Sequence, residues 1–205
     1  MYISNFKYHR PKTISEALKA LADSDNAAVL AGGTDILVEL KQGLRKHDSL
    51  ISLKGLRELR QIDNDREKVY IGSCITHNQL VESDIIKKYC PALAEAASKI
   101  GTHQIRNTGT VGGNLCTGAS CADLAPPLVM YDSEAIIEGR TGVRKIPLTD
   151  FFAHHHRTVL KKGDLLTRIE VPIQSEGTGV CFEKYGHRNA ASISVASVAV
   201  LLRIR

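Results

Sequence analysis

Apolar residues recur at helical intervals through Ile14, Ala17, Leu18 and Leu21, and Thr13 stands three positions before Glu16, which is capping-box spacing. The pattern predicts a helix over about 15–22, closed by the polar run Asp23 to Asn26. Ala27 to Ala31 is a short apolar run stopped by Gly32 and Gly33, the pattern of a buried strand entering a tight turn. Thr34 or Asp35 is placed to cap a second helix that runs to about Leu40 and closes at Gly43. Ser49 to Leu53 and Lys68 to Gly72 read as strands. Thr76 to Val81, Asp84 to Lys88 and Pro91 to Ile100 read as helices, the last with Pro91 in a favoured first-turn position. The first 55 residues therefore have the pattern of a small βαβ layer. After Pro126-Pro127, strand-like segments follow at Glu134–Glu138, Val143–Ile146, Leu165–Val171, Gly179–Lys184 and Ala196–Ile204, which predicts a second, more antiparallel sheet. Ile173 to Gly179 is polar and glycine-bearing, the best linker in the chain.

Composition narrows this picture. With 205 residues, 43% hydrophobic, 24% charged and 5% aromatic, the chain is globular in type and long enough to bury a core without a disulfide or metal staple. Its most apolar run, Val195 to Leu202, is far short of the roughly 20 residues that span a bilayer. The first residues hold no apolar signal segment, so the expectation is a soluble, cytoplasmic protein with no membrane contact. Five cysteines without a CxxC pair read as reduced, mostly buried thiols. Part of the +5 formal charge lies between Lys41 and Arg60, where six Lys or Arg face only Asp48 and Glu58. No aromatics interleave with these cations and no groove-reading helix is evident, so no nucleic-acid partner is expected; the stretch reads as a solvated face or a rim for an acidic partner subunit.

Two glycine loops carry the chemistry. In Leu30-Ala-Gly-Gly-Thr-Asp-Ile-Leu-Val38 a strand passes through two glycines into a helix start, a turn that suits a phosphate or pyrophosphate and equally suits an ordinary strand–helix corner needing positive φ. In Gln104 to Leu115, Thr110 and Asn114 can hydrogen-bond a ligand while Gly112 and Gly113 are expected to leave backbone donors bare. Asp123, just before an apolar helix, can cap that helix or accept bonds from ribose or ribityl hydroxyls. Neither loop is GxGxxG and no GxxxxGK[ST] occurs, so standard Rossmann and P-loop sites are not supported.

These blocks, AGGTDILVELKQG and QIRNTGTVGGNLCTGASCADLAPPL, followed by Phe151-Phe152, Gly163 to Pro172 and Phe182 to Arg188, resemble the FAD-binding medium subunit of the molybdenum hydroxylases, the xanthine dehydrogenase and carbon monoxide dehydrogenase type. The resemblance covers most of the chain. It implies an α+β, two-subdomain FAD-binding fold of the vanillyl-alcohol oxidase and p-cresol methylhydroxylase type. Residues 1–55 and 56–173 are the expected FAD-binding subdomains, with 174–205 a linker and the start of a C-terminal domain. By position it implies noncovalent FAD with Ala31, Gly32, Gly33, Thr34, Asp35, Ile36, Leu37 and Val38 around the pyrophosphate. Gly101, Thr110, Val111, Gly112, Gly113 and Asn114 are implied on the facing loop, Asp123 on cofactor hydroxyls, Leu166 beside the isoalloxazine and Lys184 near its polar edge. The chain departs from the family at Cys121, often proline in relatives, at His154-His-His156, and in ending at Arg205.

The same resemblance implies electron transfer from a 2Fe-2S centre on a small partner subunit, through FAD, to NAD+ or another acceptor, with molybdopterin on a large partner subunit. On that reading no residue of this chain is catalytic by itself. A standalone FAD oxidoreductase and a non-catalytic assembly module are the rival expectations. The three consecutive histidines invite a metal, but adjacent side chains of an extended segment point to opposite faces and no acidic or thiol partner is near in sequence; no metal site is expected.

Overall fold

The computed structural model describes residues 5–188 and 191–203. Three short strands, Lys7–His9 (β1), Ala27–Leu30 (β2) and Ser49–Ser52 (β3), make an all-parallel sheet in the order β1-β3-β2. Between them run helices Ile14–Asp23 (α1) and Ile36–Gln42 (α2). Thr13 caps α1 by accepting from the Glu16 amide at 3.1 Å, and the Glu16 carboxylate answers by accepting from the Lys12 amide at 2.7 Å. β3 is buried along its whole length because both neighbours pair with it and α1 covers one face, through Ala17 and Leu21 against Ile51 and Leu53.

The remaining elements build a second layer. A turn of 3-10 helix, Arg57–Arg60, leads to strands Ile62–Asn64 (β4) and Lys68–Gly72 (β5). Six helices follow: His77–Glu82 (α3), Asp84–Tyr89 (α4), Pro91–Ser98 (α5), His103–Arg106 (α6), Val111–Cys116 (α7) and Ala125–Met130 (α8). Then come strands Glu134–Gly139 (β6), Gly142–Pro147 (β7), Phe152–His154 (β8), Arg157–Thr158 (β9) and Leu165–Pro172 (β10). Five of these strands form an antiparallel sheet, β4-β5-β10-β6-β7, whose inner face meets the helices over Ile71, Leu93, Leu128, Tyr131, Ile137, Phe151 and Ile169, all fully buried. The Tyr131 hydroxyl oxygen accepts from the Ala92 amide at 3.3 Å, which offsets part of the cost of burying it. Leu165 and Cys74 face the other way, into the cluster beneath the parallel sheet, so the two layers share side chains.

The last two strands correct an expectation. Thr178–Gly186 (β11) and Ser194–Arg203 (β12) pair only with each other among the described residues, as a separate antiparallel ribbon, instead of joining the five-stranded sheet. Ile204, expected in the last strand, lies outside the described residues. The ribbon docks through Phe182, fully buried, while Val198, Val200 and Leu202 stay exposed on its outer face. No helix among the described residues is long and apolar enough to cross a membrane.

Candidate functional site

Strands β2 and β3 end side by side, held by the Leu53 amide donating to Leu30 O at 2.9 Å. In a parallel sheet this carboxyl edge is where ligands collect, because successive strand–helix turns there expose unpaired amides. The first glycine loop leaves β2 at that edge. Gly33 adopts φ +83, the left-handed conformation that the corner requires. Asp35 occupies the cap position of α2 but makes no capping bond, and Thr34 supplies none either, contrary to the expected cap. Consequently the amides of Gly32, Gly33, Thr34, Asp35 and Ile36 find no acceptor among the described residues. Five successive free donors on one turn form an anion cradle.

The second loop meets the first directly. A Cβ on Gly32 would lie 2.1 Å from Thr108 O, so only glycine allows the two backbones to touch. Between them opens a cleft of about 300 Å³. Ala31, Gly32 and Lys54 line it from the parallel sheet, Arg60, Cys74 and Thr76 from the adjoining wall, and Asn107, Thr108 and Thr110 from the second loop. No acidic side chain lines it. Burial pushes the Cys74 thiol up to about 11, so this thiol adds no negative charge to the cleft at neutral pH.

The second loop behaves differently from expectation. Gly112 and Gly113 do not present bare donors: they begin the short helix α7, where the Val111 amide donates to Ile75 O (2.9 Å), Gly112 to Ser73 O (2.8 Å) and Gly113 to Thr110 Oγ1 (3.1 Å). Gly112 is glycine because a Cβ there would meet Ser73 Cβ and O at 2.8 Å. Asn114 turns its carbonyl oxygen to the Leu124 amide at 3.4 Å, bracing the segment between α7 and α8. Val111 is fully buried, and Gly101, at φ +47, makes the corner before α6. Ile36, Leu37 and Val38 form the first turn of α2, outside the cleft's lining.

Asp123 and Lys184, expected as independent cofactor contacts, are instead brought together. Lys184 Nζ lies 2.7 Å from Asp123 Oδ2 and also donates to Lys99 O at 2.9 Å, with both ionic side chains less than a tenth exposed. Ser194 donates to the other Asp123 oxygen. Asp123 is therefore no helix cap, since α8 starts at Ala125 without a side-chain cap, and its first structural task is to clamp the ribbon to the helices. Leu166 lies in the main core at 3% exposure, paired with Ile137 of β6 beside a β-bulge, and is not among the residues that line the cleft.

Sequence reasoning missed Lys54, Arg60, Cys74, Thr76, Asn107 and Thr108 in the cleft, and also His77 and Asn78 behind it. The His77 amide donates to Gly109 O (3.1 Å), and Asn78 donates to Asn107 Oδ1, so this pair holds the second loop from beneath. His77 is 3% exposed, its Nδ1 has no partner among the described residues, and burial followed by the nearby Arg106 charge pushes its pKa down to about 4. The His154–His156 turn packs on the end of α7, His156 Nδ1 lying 2.9 Å from Thr117 O. Among the described residues no group of three or more His, Cys, Asp or Glu is arranged to hold a metal. Cys74 and Cys90 are buried and Cys116 partly so, but Cys121 and Cys181 are exposed, so burial of the thiols is less complete than expected.

Free amides, two cations and no carboxylate fit the diphosphate of a dinucleotide, and comparison with known proteins gives the same direction. Residues 4–174 match the family described as FAD binding domain in molybdopterin dehydrogenase. The chain is 37% identical over 199 residues to the xanthine dehydrogenase FAD-binding subunit of Escherichia coli O157:H7, covering 96% of this chain and 68% of that one. It is 33% identical to the carbon monoxide dehydrogenase medium chain of Hydrogenophaga pseudoflava, covering 97% and 69%. Carbon monoxide dehydrogenase from Hydrogenophaga pseudoflava, solved without the Mo-pyranopterin moiety of its cofactor, superposes with a TM-score of 0.97 at 32% identity over 100% of this chain and 71% of that chain. Quinoline 2-oxidoreductase from Pseudomonas putida 86 gives 0.94 at 27%, over 100% and 71%. With a family match over most of its length and a fold shared throughout, the chain belongs to the FAD-binding domains of the molybdopterin dehydrogenase family.

Proposed function

We propose that this chain is the FAD-carrying electron-transfer subunit of a cytoplasmic molybdenum-containing dehydrogenase. It takes electrons from a 2Fe-2S centre on a small partner subunit and passes them to NAD+ or another acceptor. On this reading the organic substrate is oxidised on a molybdopterin-binding large subunit, and residues 1–55 and 56–173 are the two FAD-binding subdomains, with 174–205 opening a further domain. The observation that carries it is the cleft at the carboxyl edge of the parallel sheet, lined by no acid and bordered at Gly32 by the turn whose five successive amides are free.

When bound, FAD supplies a group that accepts electrons singly or in pairs, which a chain of ordinary side chains cannot do. The chain's own residues bind and orient. The Gly32–Ile36 amides hold the diphosphate without a covalent bond, and Thr110, at the cleft, fixes the start of α7. Gly101 turns the chain into α6, from which Arg106 braces Asn78 at 3.3 Å. The Asp123–Lys184 pair holds β11 and β12 against the helices, so any cofactor atom meeting it meets a preset donor and acceptor.

The test is co-expression with candidate molybdopterin-binding and 2Fe-2S subunits, purification through a tag on one partner, and addition of heteroaromatic or aldehyde substrates. Flavin reduction confined to the complex supports the proposal. Failure to co-purify, together with substrate-dependent flavin reduction in the isolated chain, makes it a standalone oxidoreductase instead.

A further inference from the structure

We propose that Lys54 and Arg60 form a cation pair that grips the diphosphate of a dinucleotide in the cleft. The pair rests on the reading of that cleft as the FAD site and adds the residues that supply its charge. Lys54 follows β3 as the first glycine loop follows β2, and the Leu53–Leu30 bond holds the two strand exits together. Lys54 therefore sits on the same sheet edge as the free amides.

Arg60 arrives from a different direction. It ends the 3-10 turn whose Leu59 carbonyl accepts from the Cys74 amide at 2.8 Å. Gly72 lets the turn approach that closely, since a Cβ there would lie 2.4 Å from Leu59 O. This seating pins the backbone at Arg60 to the cleft wall beside Cys74, and Arg60 is one of the lining residues.

Neither cation has an ion-pair partner among the described residues, although most charged side chains on the neighbouring sheet do, as in the Lys68, Lys145, Glu134 and Glu170 network. Two like charges lining one cleft repel each other, and with no carboxylate in the lining, the group that relieves them is a bound anion. Five amides together with two cations exceed what a single phosphate needs, whereas a diphosphate presents oxygens enough for both sets. The expected consequence is selectivity: the cleft takes FAD and ADP, and takes riboflavin poorly because it lacks the phosphates.

The experiment titrates the flavin-free chain with FAD and riboflavin by flavin fluorescence, with ADP and adenosine as competitors, at low and high sodium chloride. Lys54→Ala, Arg60→Ala and the double variant are compared with the natural chain, with Arg60→Lys as the charge-retaining control. Both side chains are exposed, so the melting temperature should not move. Each single variant should weaken FAD roughly tenfold and the double roughly a hundredfold, while riboflavin binding is unchanged. Added salt should weaken FAD in the natural chain and much less in the double variant. ADP should compete and adenosine should not. If the natural chain binds FAD and the double variant binds it as tightly, with the same salt dependence, the cation pair is refuted while the FAD reading stands. If the natural chain binds ADP in a Lys54- and Arg60-dependent way but not FAD, the pair stands and the FAD reading falls. Binding of neither overturns both.

Discussion

Gly32→Ala tests the contact that joins the two halves of the cleft. The backbone at Gly32 is not in the left-handed region, so alanine is conformationally allowed and the whole effect comes from contact. Its Cβ would sit 2.1 Å from Thr108 O, 2.9 Å from Thr108 C and 3.1 Å from Gly109 Cα. All three neighbours are backbone, and His77 and Asn78 hold that loop from below, so the loops must part by more than about 1 Å to reach ordinary contact. Overpacking of this kind costs about 2–3 kcal/mol. For a chain of this size that is a fall in Tm of about 5–10 °C. Parting the loops also shifts the free amides away from the facing wall, so FAD affinity should fall roughly tenfold or more. Gly43→Ala is the control: its φ is +72 but nothing lies within 4 Å, so it should cost about 1–2 kcal/mol of left-handed strain and leave FAD affinity alone. Thermal melts of the flavin-free variants and FAD titrations measure both effects. A Gly32→Ala protein with unchanged Tm and unchanged affinity would refute the loop contact.

Three further outcomes are expected. Asp123→Ala leaves Lys184 charged and buried without its partner, which should cost about 3–5 kcal/mol in the flavin-free chain, more than the ~1 kcal/mol of a lost helix cap; urea unfolding decides between them. His77 is neutral in both states above its ordinary 6.5, but between 6.5 and about 4 the unfolded chain takes a proton that the fold refuses. Stability should therefore drop as pH falls through that window, by on the order of 3 kcal/mol at most, and His77→Phe should flatten that slope in urea unfolding followed across the window. In thiol labelling, exposed Cys121 and Cys181 should react at once, whereas Cys74, Cys90 and Cys116, whose thiols burial pushes up to about 11, 12 and 12, should react only on unfolding.

Elements with a strong local signal were legible in the sequence. Thr13 and Glu16 predicted the start of α1, Gly43 the left-handed close of α2, and Pro91 the first turn of α5, because each acts within one helical turn of itself. The family resemblance, carried by the two glycine loops and the later blocks, agrees with the fold and the relatives. What the sequence hid was long-range pairing. Gly112 and Gly113 look like free loop donors until Ser73 and Thr110 are seen to take their amides. Asp123 and Lys184, 61 positions apart, give no sign of sharing one ion pair. Lys54 and Arg60 sit in a basic stretch that reads as an undivided surface, and only the Leu53–Leu30 and Cys74–Leu59 backbone bonds bring these two of its cations to one cleft. The ribbon of β11 and β12 has the alternation of sheet strands, and alternation does not say which sheet a strand joins.

The measurement that bears most directly on the central claim is the flavin content of the purified chain: its absorbance spectrum, followed by acid precipitation and chromatography of the supernatant. The account predicts flavin in near-equimolar amount, released by acid and running as FAD, because amides and cations hold the diphosphate without a covalent bond. A chain that carries no flavin and takes up none when FAD is added, or one whose flavin stays in the acid pellet, would contradict it.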